Sequence, residues 1–195
     1  MDEKNELRLM LYFTLAYLIF FTVFSIVKGN YEFLYYTIIL SALIIILALY
    51  HKKFHLSKSI ILGLTILGAM HVFGGNIHIA GTRLYDLWFI QDVFKYDNLV
   101  HAFGIFVATF VAYNIISPHL DKKIKHNSFL LSVILVAIAM GTGAFNEVIE
   151  LGAVVFLDAA QQVGDYMNNA LDLVYNLIGS IIASIIIVFY HKRNF

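Results

Sequence analysis

The stretch SFLLSVILVAIAMGTGAFNEVIEL, residues 128–151, decides how this chain is read. From Ser128 to Phe145 it carries no charge. A helix crossing the hydrocarbon core of a bilayer needs roughly 20 predominantly apolar residues, so this stretch reads as a membrane span. It then closes on Asn146-Glu147-Val148-Ile149-Glu150. Two carboxylates three residues apart share one helix face, an expensive thing to carry into lipid unless something compensates them.

Working outward, five further segments meet the same length criterion, at about 9–27, 32–50, 58–75, 98–117 and 169–190. Composition agrees: hydrophobic residues make up 61% of the 195 residues and charged residues 13%, against about 25% charged in an average soluble domain. The expected fold is all-α, a polytopic bundle of about six transmembrane helices forming one integral membrane domain over 1–195. The first span follows a short charged leader and reads as an uncleaved anchor, because Ser25-Ile26-Val27-Lys28 offers no small-x-small cleavage site. Zero formal net charge and the lack of a basic stripe interleaved with aromatics argue against a nucleic-acid partner. With no cysteine, disulfides, thiolate metal sites and a cysteine nucleophile are excluded.

The basic residues orient the spans. Lys4 and Arg8 precede the first; Lys52, Lys53 and Lys58 follow the second; Lys122, Lys123 and Lys125 follow the fourth; Lys192 and Arg193 follow the sixth. Alternating spans put all of these on one side and leave only Lys28, Arg83 and Lys95 on the other. The positive-inside rule then places both termini in the cytoplasm of a cell (inner) membrane protein. In the long connection 76–97, Leu84, Leu87, Trp88, Gln91 and Phe94 fall at helical spacing, which predicts a short interfacial or re-entrant helix over the bundle mouth.

The costly polar groups gather in the last four spans. The third ends Met70-His71-Val72-Phe73-Gly74-Gly75; the fourth opens Tyr96-Asp97-Asn98-Leu99-Val100-His101; the fifth ends at Glu147 and Glu150; the sixth opens Gly164-Asp165 and runs on through Asn168, Asn169 and Asp172 to Asn176. Under the alternating topology all four segments lie towards the outer leaflet. Asp97 and His101 are i,i+4 neighbours, so the carboxylate can accept from one imidazole nitrogen and orient the other for ligation or proton transfer. Intramembrane carboxylates cost at least about 2.5 kcal/mol each on insertion scales, so they must face each other, water or a cation. Asp165 also suits a solvated helix start, and Asn168 and Asn169 suit caps better than ligands. His51, His55, His119, His126 and His191 fall in cytoplasmic connections and are expected to be solvated. Gly104 with Ala108, and Gly179 with Ala183, follow the small-xxx-small spacing of close helix contacts, and Gly141 and Gly143 are expected to thin their helix for the same purpose.

In this order (His71 with Gly74-Gly75, Tyr96-Asp97-x-x-x-His101, Glu147-x-x-Glu150, Gly164-Asp165 and Asp172) the chain resembles the YjdF-like family of bacterial and archaeal inner-membrane proteins over roughly residues 60–185. It resembles VanZ-like membrane proteins more loosely, the final element there corresponding to Asp172, Asn176 and Gly179. Leu151 stands where the first family has Trp, and Asn168 where it has an acidic residue. The resemblance implies a compact helical membrane fold and brings no activity with it.

These readings converge on a buried site that takes a divalent metal. His71, His101, Glu147, Glu150, Asp172 and Asp165 are the candidate ligands, and Glu147, Glu150, His101, Asp97 and Asp172 the candidate catalytic groups. Mixed imidazole and carboxylate donors suit Zn²⁺, Mn²⁺ or Fe²⁺, and an all-oxygen subset suits Mg²⁺ or Ca²⁺. At that depth the natural substrate is a lipid headgroup or a lipid-linked envelope precursor. No Arg/Lys cluster marks phosphate recognition, and Arg83 and Lys95 are the only nearby cations for it. Two other classes stay open: a proton-coupled or ion transporter, whose small size a homo-oligomer would relieve, and a non-catalytic membrane binding or scaffold protein.

Overall fold

A computed structural model describes residues 2–193. Among the described residues eight α-helices follow in order: α1 (Glu3–Lys28), α2 (Tyr31–Phe54), α3 (Lys58–Asn76), α4 (Tyr96–Ile116), α5 (Lys122–His126), α6 (Ser128–Leu157), α7 (Ala160–Val163) and α8 (Tyr166–Arg193). The six long ones are apolar and long enough to cross a membrane, and many of their large hydrophobic side chains face outward, as lipid-facing surfaces do.

Local chemistry sets the ends. Gly29 takes the left-handed conformation that stops α1 (φ 67°), and Asn30 then caps α2 by accepting from the Phe33 amide. Ser57 caps α3 and Asn127 caps α6 in the same way. The boundary difference that bears on the site is in α6, which continues to Leu157 instead of ending near Leu151. Residues 151–157 (LGAVVFL) are still apolar and contain no proline, and the helix carries Gly152 in its interior. Glu147 and Glu150 therefore sit 10 and 7 residues before the helix end, roughly 10–15 Å along its axis.

Pairings between helix ends fix the direction of each crossing. Glu6 on α1 pairs with Lys58 on α3, while Ser25 on α1 bonds Asn76 on α3 at 2.9 Å, so these two run parallel. The Tyr96 hydroxyl donates to the Met70 carbonyl (3.0 Å), so α4 starts where α3 ends. Asn98 bonds Asp172 (2.8 Å), so α8 starts beside the start of α4. At the other end Ile187 and Val188 of α8 pack with Leu131 and Leu135 of α6 and with Phe110 and Ile116 of α4. The crossings alternate, and both ends of the described chain lie opposite the end that gathers the polar residues.

The 76–97 connection is not the helix its spacing predicts. Two short antiparallel hairpins stand there, β1 (His78–Ile79) with β2 (Thr82–Arg83) and β3 (Trp88–Ile90) with β4 (Phe94–Lys95), around a single 3₁₀ turn at Leu84–Asp86. Ala80 and Gly81 both adopt positive φ (52° and 87°), as does Asp92 (57°), the geometry of tight hairpin turns. The run Trp88-Phe89-Ile90 has the aromatic and β-branched character of a strand. The leucine spacing matched a helix, but the turn residues decided the backbone.

Candidate functional site

His101 is the hub. It projects from the second turn of α4 with only 7% of its side chain exposed. Its Nε2 faces Asp97 Oδ1 at 3.5 Å, Glu150 Oε1 at 3.6 Å and Asp172 Oδ2 at 3.9 Å, and its Nδ1 faces Glu147 Oε1 at 3.7 Å. Three helices thus deliver four carboxylates to one imidazole. Asp97, His101 and Asp172 offer ligand atoms within 4.8 Å of one another, as do His101, Glu147 and Glu150. Two atoms bound to one cation at about 2.0–2.6 Å each lie no more than roughly 5 Å apart, so either triad fits a single ion. Both oxygens of Glu147 are buried without a hydrogen-bond partner among the described residues, a costly state for a carboxylate that a cation or a proton would relieve.

The carboxylates are held in place. Asp172 is fully buried and accepts from Asn98 Nδ2 through Oδ1 (2.8 Å) and from Asn168 Nδ2 through Oδ2 (2.8 Å). Asn146 donates to Glu150 Oε1 at 2.7 Å. Lys95 lies 3.0 Å from Asp97 Oδ2 and also bonds Asn168. Such outer contacts orient ligating groups. They depend on close helix approach. A Cβ on Gly179 would lie 2.1 Å from the Ala102 carbonyl oxygen, and one on Gly143 would lie 2.7 Å from Asn176 Nδ2. The small-residue expectation holds at those glycines. At Gly141 it fails, because that position is exposed and a Cβ there would meet nothing within 4 Å among the described residues.

Several expectations are redrawn. His71 is not in either triad. It bonds the Tyr85 hydroxyl through Nδ1 (2.7 Å) inside a cage of Phe33, Tyr36 and Tyr85, with ring centroids 5.5–5.8 Å away. Gly74 and Gly75 make that cage, since a side chain there would collide with the Tyr85 and Phe33 rings. His71 still lines a small cavity of about 30 Å³ with Asp97 and Glu150. Asp165 is exposed, also outside both triads, and caps the start of α8 by accepting from the Asn168 amide at 3.1 Å. Asn168, expected as a cap, instead ties Asp172 to Lys95. His51 lies inside α2, half-buried with Nδ1 enclosed, not in a solvated connection; His55, His119 and His126 are exposed, and the side chain of His191 lies outside the described residues.

Glu32 is not among the residues that spacing singles out, and Arg83 and Lys95 stand out in the sequence only as cations near the site. Glu32, in the first turn of α2, meets Arg83 at 3.4 Å; Arg83 also forms a two-pronged pair with Asp86 at 2.8 and 3.0 Å. Burial works against the Arg83 charge, but Asp86 and then Glu32 more than offset it and raise its pKa. Burial, helped by Asp97, pushes the Tyr85 hydroxyl well above its ordinary value. One signal for Glu32 was present: it is the acidic residue at the first turn of a span.

Fold and site together define a multi-pass membrane protein that buries a His/Asp/Glu cluster at one end of its helical bundle. Residues 9–193 match the family described as Predicted membrane protein (DUF2238), and the chain belongs to that family. This is the family that the YjdF-like resemblance corresponds to. No curated protein and no solved structure matches the chain.

Proposed function

We propose that the cluster binds one divalent cation and forms the centre of a membrane-embedded enzyme acting on a lipid headgroup or a lipid-linked envelope substrate. The carrying observation is the convergence of Asp97, Glu147, Glu150 and Asp172 on His101. The two edges of the imidazole divide the work. Nε2, with Asp97, Asp172 and Glu150 around it, is the ligand edge. Glu147 stands on the Nδ1 edge, its Oε1 3.7 Å away. A bound cation would supply Lewis acidity and lower the pKa of a bound water. Glu147, outside that ligand set, is the group placed to take a proton. Positive-inside orientation puts both termini in the cytoplasm of the cell membrane and the cluster towards the outer leaflet, in a single integral domain.

A second reading, an ion or proton path, has one observation in its favour. Below Asp172, Asn176, Ser180 and Ser184 repeat every four residues along α8 and are buried to 1% exposure or less. Both side-chain polar atoms of Asn176 lack hydrogen-bond partners among the described residues.

The test is metal analysis and thermal unfolding of detergent-purified protein with Zn²⁺, Mn²⁺ or Mg²⁺, beside Asp172→Asn and His101→Ala. At 100 times Kd a bound ion adds about 2.7 kcal/mol. The expected outcome is a rise in Tm for the wild type that both variants lose. A wild type indifferent to every divalent ion would overturn the metal reading, and proton flux in proteoliposomes abolished by Asp172→Asn would favour the path.

A further inference from the structure

The β3–β4 hairpin carries side chains that suit neither water nor the protein core. Trp88, Phe89 and Ile90, the whole of β3, are exposed, and so is Val93 beyond the turn. Side chains alternate across a strand, so both faces of β3 present apolar groups and neither is buried. A two-stranded hairpin on its own is marginal in water, and a contiguous exposed apolar patch marks a surface that something covers.

The hairpin is tied to the flank of α8. The Tyr175 hydroxyl donates to the Val93 carbonyl (2.9 Å), and the Phe94 and Tyr175 rings lie 5.3 Å apart. Tyr175 stands nine residues into α8, about 13 Å along its axis, and a helical side chain leans back towards the helix start. With 28 residues, α8 is roughly 42 Å long, close to the about 40–45 Å of a bilayer with its headgroups. The contact therefore falls where headgroups give way to acyl chains. Ile178 and Ile182, three and seven residues further on, continue the Tyr175 face of α8 and are exposed. They belong to a helix long and apolar enough to cross the membrane, so the apolar surface of the hairpin runs on into one that lipid covers.

We infer that the β3–β4 hairpin docks in the bilayer, seated at the headgroup–acyl boundary of the leaflet at the cluster end. Its backbone fixes the depth. Lipid-exposed sheet edges do not occur within the hydrocarbon region, where their N–H and C=O groups find no partner. The side chains of Trp88, Phe89, Ile90 and Val93 gain by leaving water. The boundary serves both needs, and it is where Trp and Tyr gather in membrane proteins. Gln91 and Asp92, exposed at the turn, are polar enough for the headgroups. At the other end of β4, Lys95 turns inward: its Nζ lies 6.0 Å from the Trp88 ring centroid, 3.0 Å from Asp97 Oδ2, and bonds Asn168. The hairpin thus links the leaflet to the carboxylate cluster. This placement does not depend on the cation or on the enzyme reading.

Trp88 is the single tryptophan of the chain, so intrinsic fluorescence reads this hairpin alone. The experiment places the full-length protein in phosphatidylcholine vesicles whose lipids carry bromine either near the headgroup or near the chain end, and adds acrylamide to the buffer in parallel samples. Shallow bromine should quench Trp88 at least twofold more than deep bromine. Ile90→Asp, which puts a charge on an exposed position of the docked face, should cut the shallow quenching at least twofold, while Ile90→Leu should keep it. Equal or stronger quenching by deep bromine would overturn the boundary placement. Free access of acrylamide with no quenching by either brominated lipid would put the hairpin in water and overturn the inference. Protection from both kinds of quencher would do the same, by showing that protein, such as a second copy of the chain, covers the face.

Discussion

Replacing Gly179 by Ala tests whether the packing of α8 on α4 positions the site. In a helix interior Ala is favoured over Gly by about 0.8–1 kcal/mol, so propensity alone predicts stabilisation. The structure predicts the opposite. The added Cβ would lie 2.1 Å from the Ala102 carbonyl oxygen, and ordinary contact begins at 3.4 Å, so the helices must part by about 1.3 Å. The obstacle is backbone and cannot swing aside. Overpacking of this kind costs about 1–3 kcal/mol. Seven residues away, roughly 10 Å along the helix, Asn98 holds Asp172 at 2.8 Å. A displacement near 1 Å there takes that bond beyond hydrogen-bonding distance. Gly141→Ala is the matched control, because nothing lies within 4 Å of its Cβ position. Thermal unfolding of both variants in one detergent should show Gly179→Ala lower in Tm than wild type, by about 2–4 °C per kcal/mol for a chain of this size. Gly141→Ala should be unchanged or higher. Cation-induced stabilisation should fall only in the Gly179 variant. A Gly179→Ala protein as stable as the Gly141→Ala protein, with an intact cation response, would refute the argument.

Asn168→Ala should reduce cation-induced stabilisation, because it removes the amide that orients Asp172, while Asp165→Ala should cost about 1 kcal/mol as a lost cap and leave the cation response alone; equal responses would reverse these assignments. Tyr85 keeps its proton in the folded protein above the ordinary value of 10.0, where an unfolded chain loses it. The unfolded state then binds fewer protons, so stability should fall as pH rises past about 10, and Tyr85→Phe should flatten that part of the profile; identical alkaline profiles would count against it. Reporter fusions at the two ends should both read cytoplasmic, and opposite readings would break the alternating arrangement on which the site depends.

Hydropathy is summed along the chain, so six crossings, their parity and the gathering of His71, Asp97, His101, Glu147, Glu150 and Asp172 towards one end are all legible in the order of residues alone. The i,i+4 spacing even pairs Asp97 with His101, because both lie on one helix. What a single helix cannot encode is which face its neighbour presents. Gly179 against Ala102 and Gly143 against Asn176 bring Asp172 and the α6 glutamates to His101, while Tyr85 claims His71 through a contact spanning 14 residues. Local turn geometry at Ala80, Gly81 and Asp92 decided that the connection folds as hairpins, and only that fold lays Arg83 beside Glu32, 51 residues away in sequence. Burial of costly groups is a property of composition along the chain; their partnership is a property of packing, settled where side chains from distant segments compete for the same few ångströms.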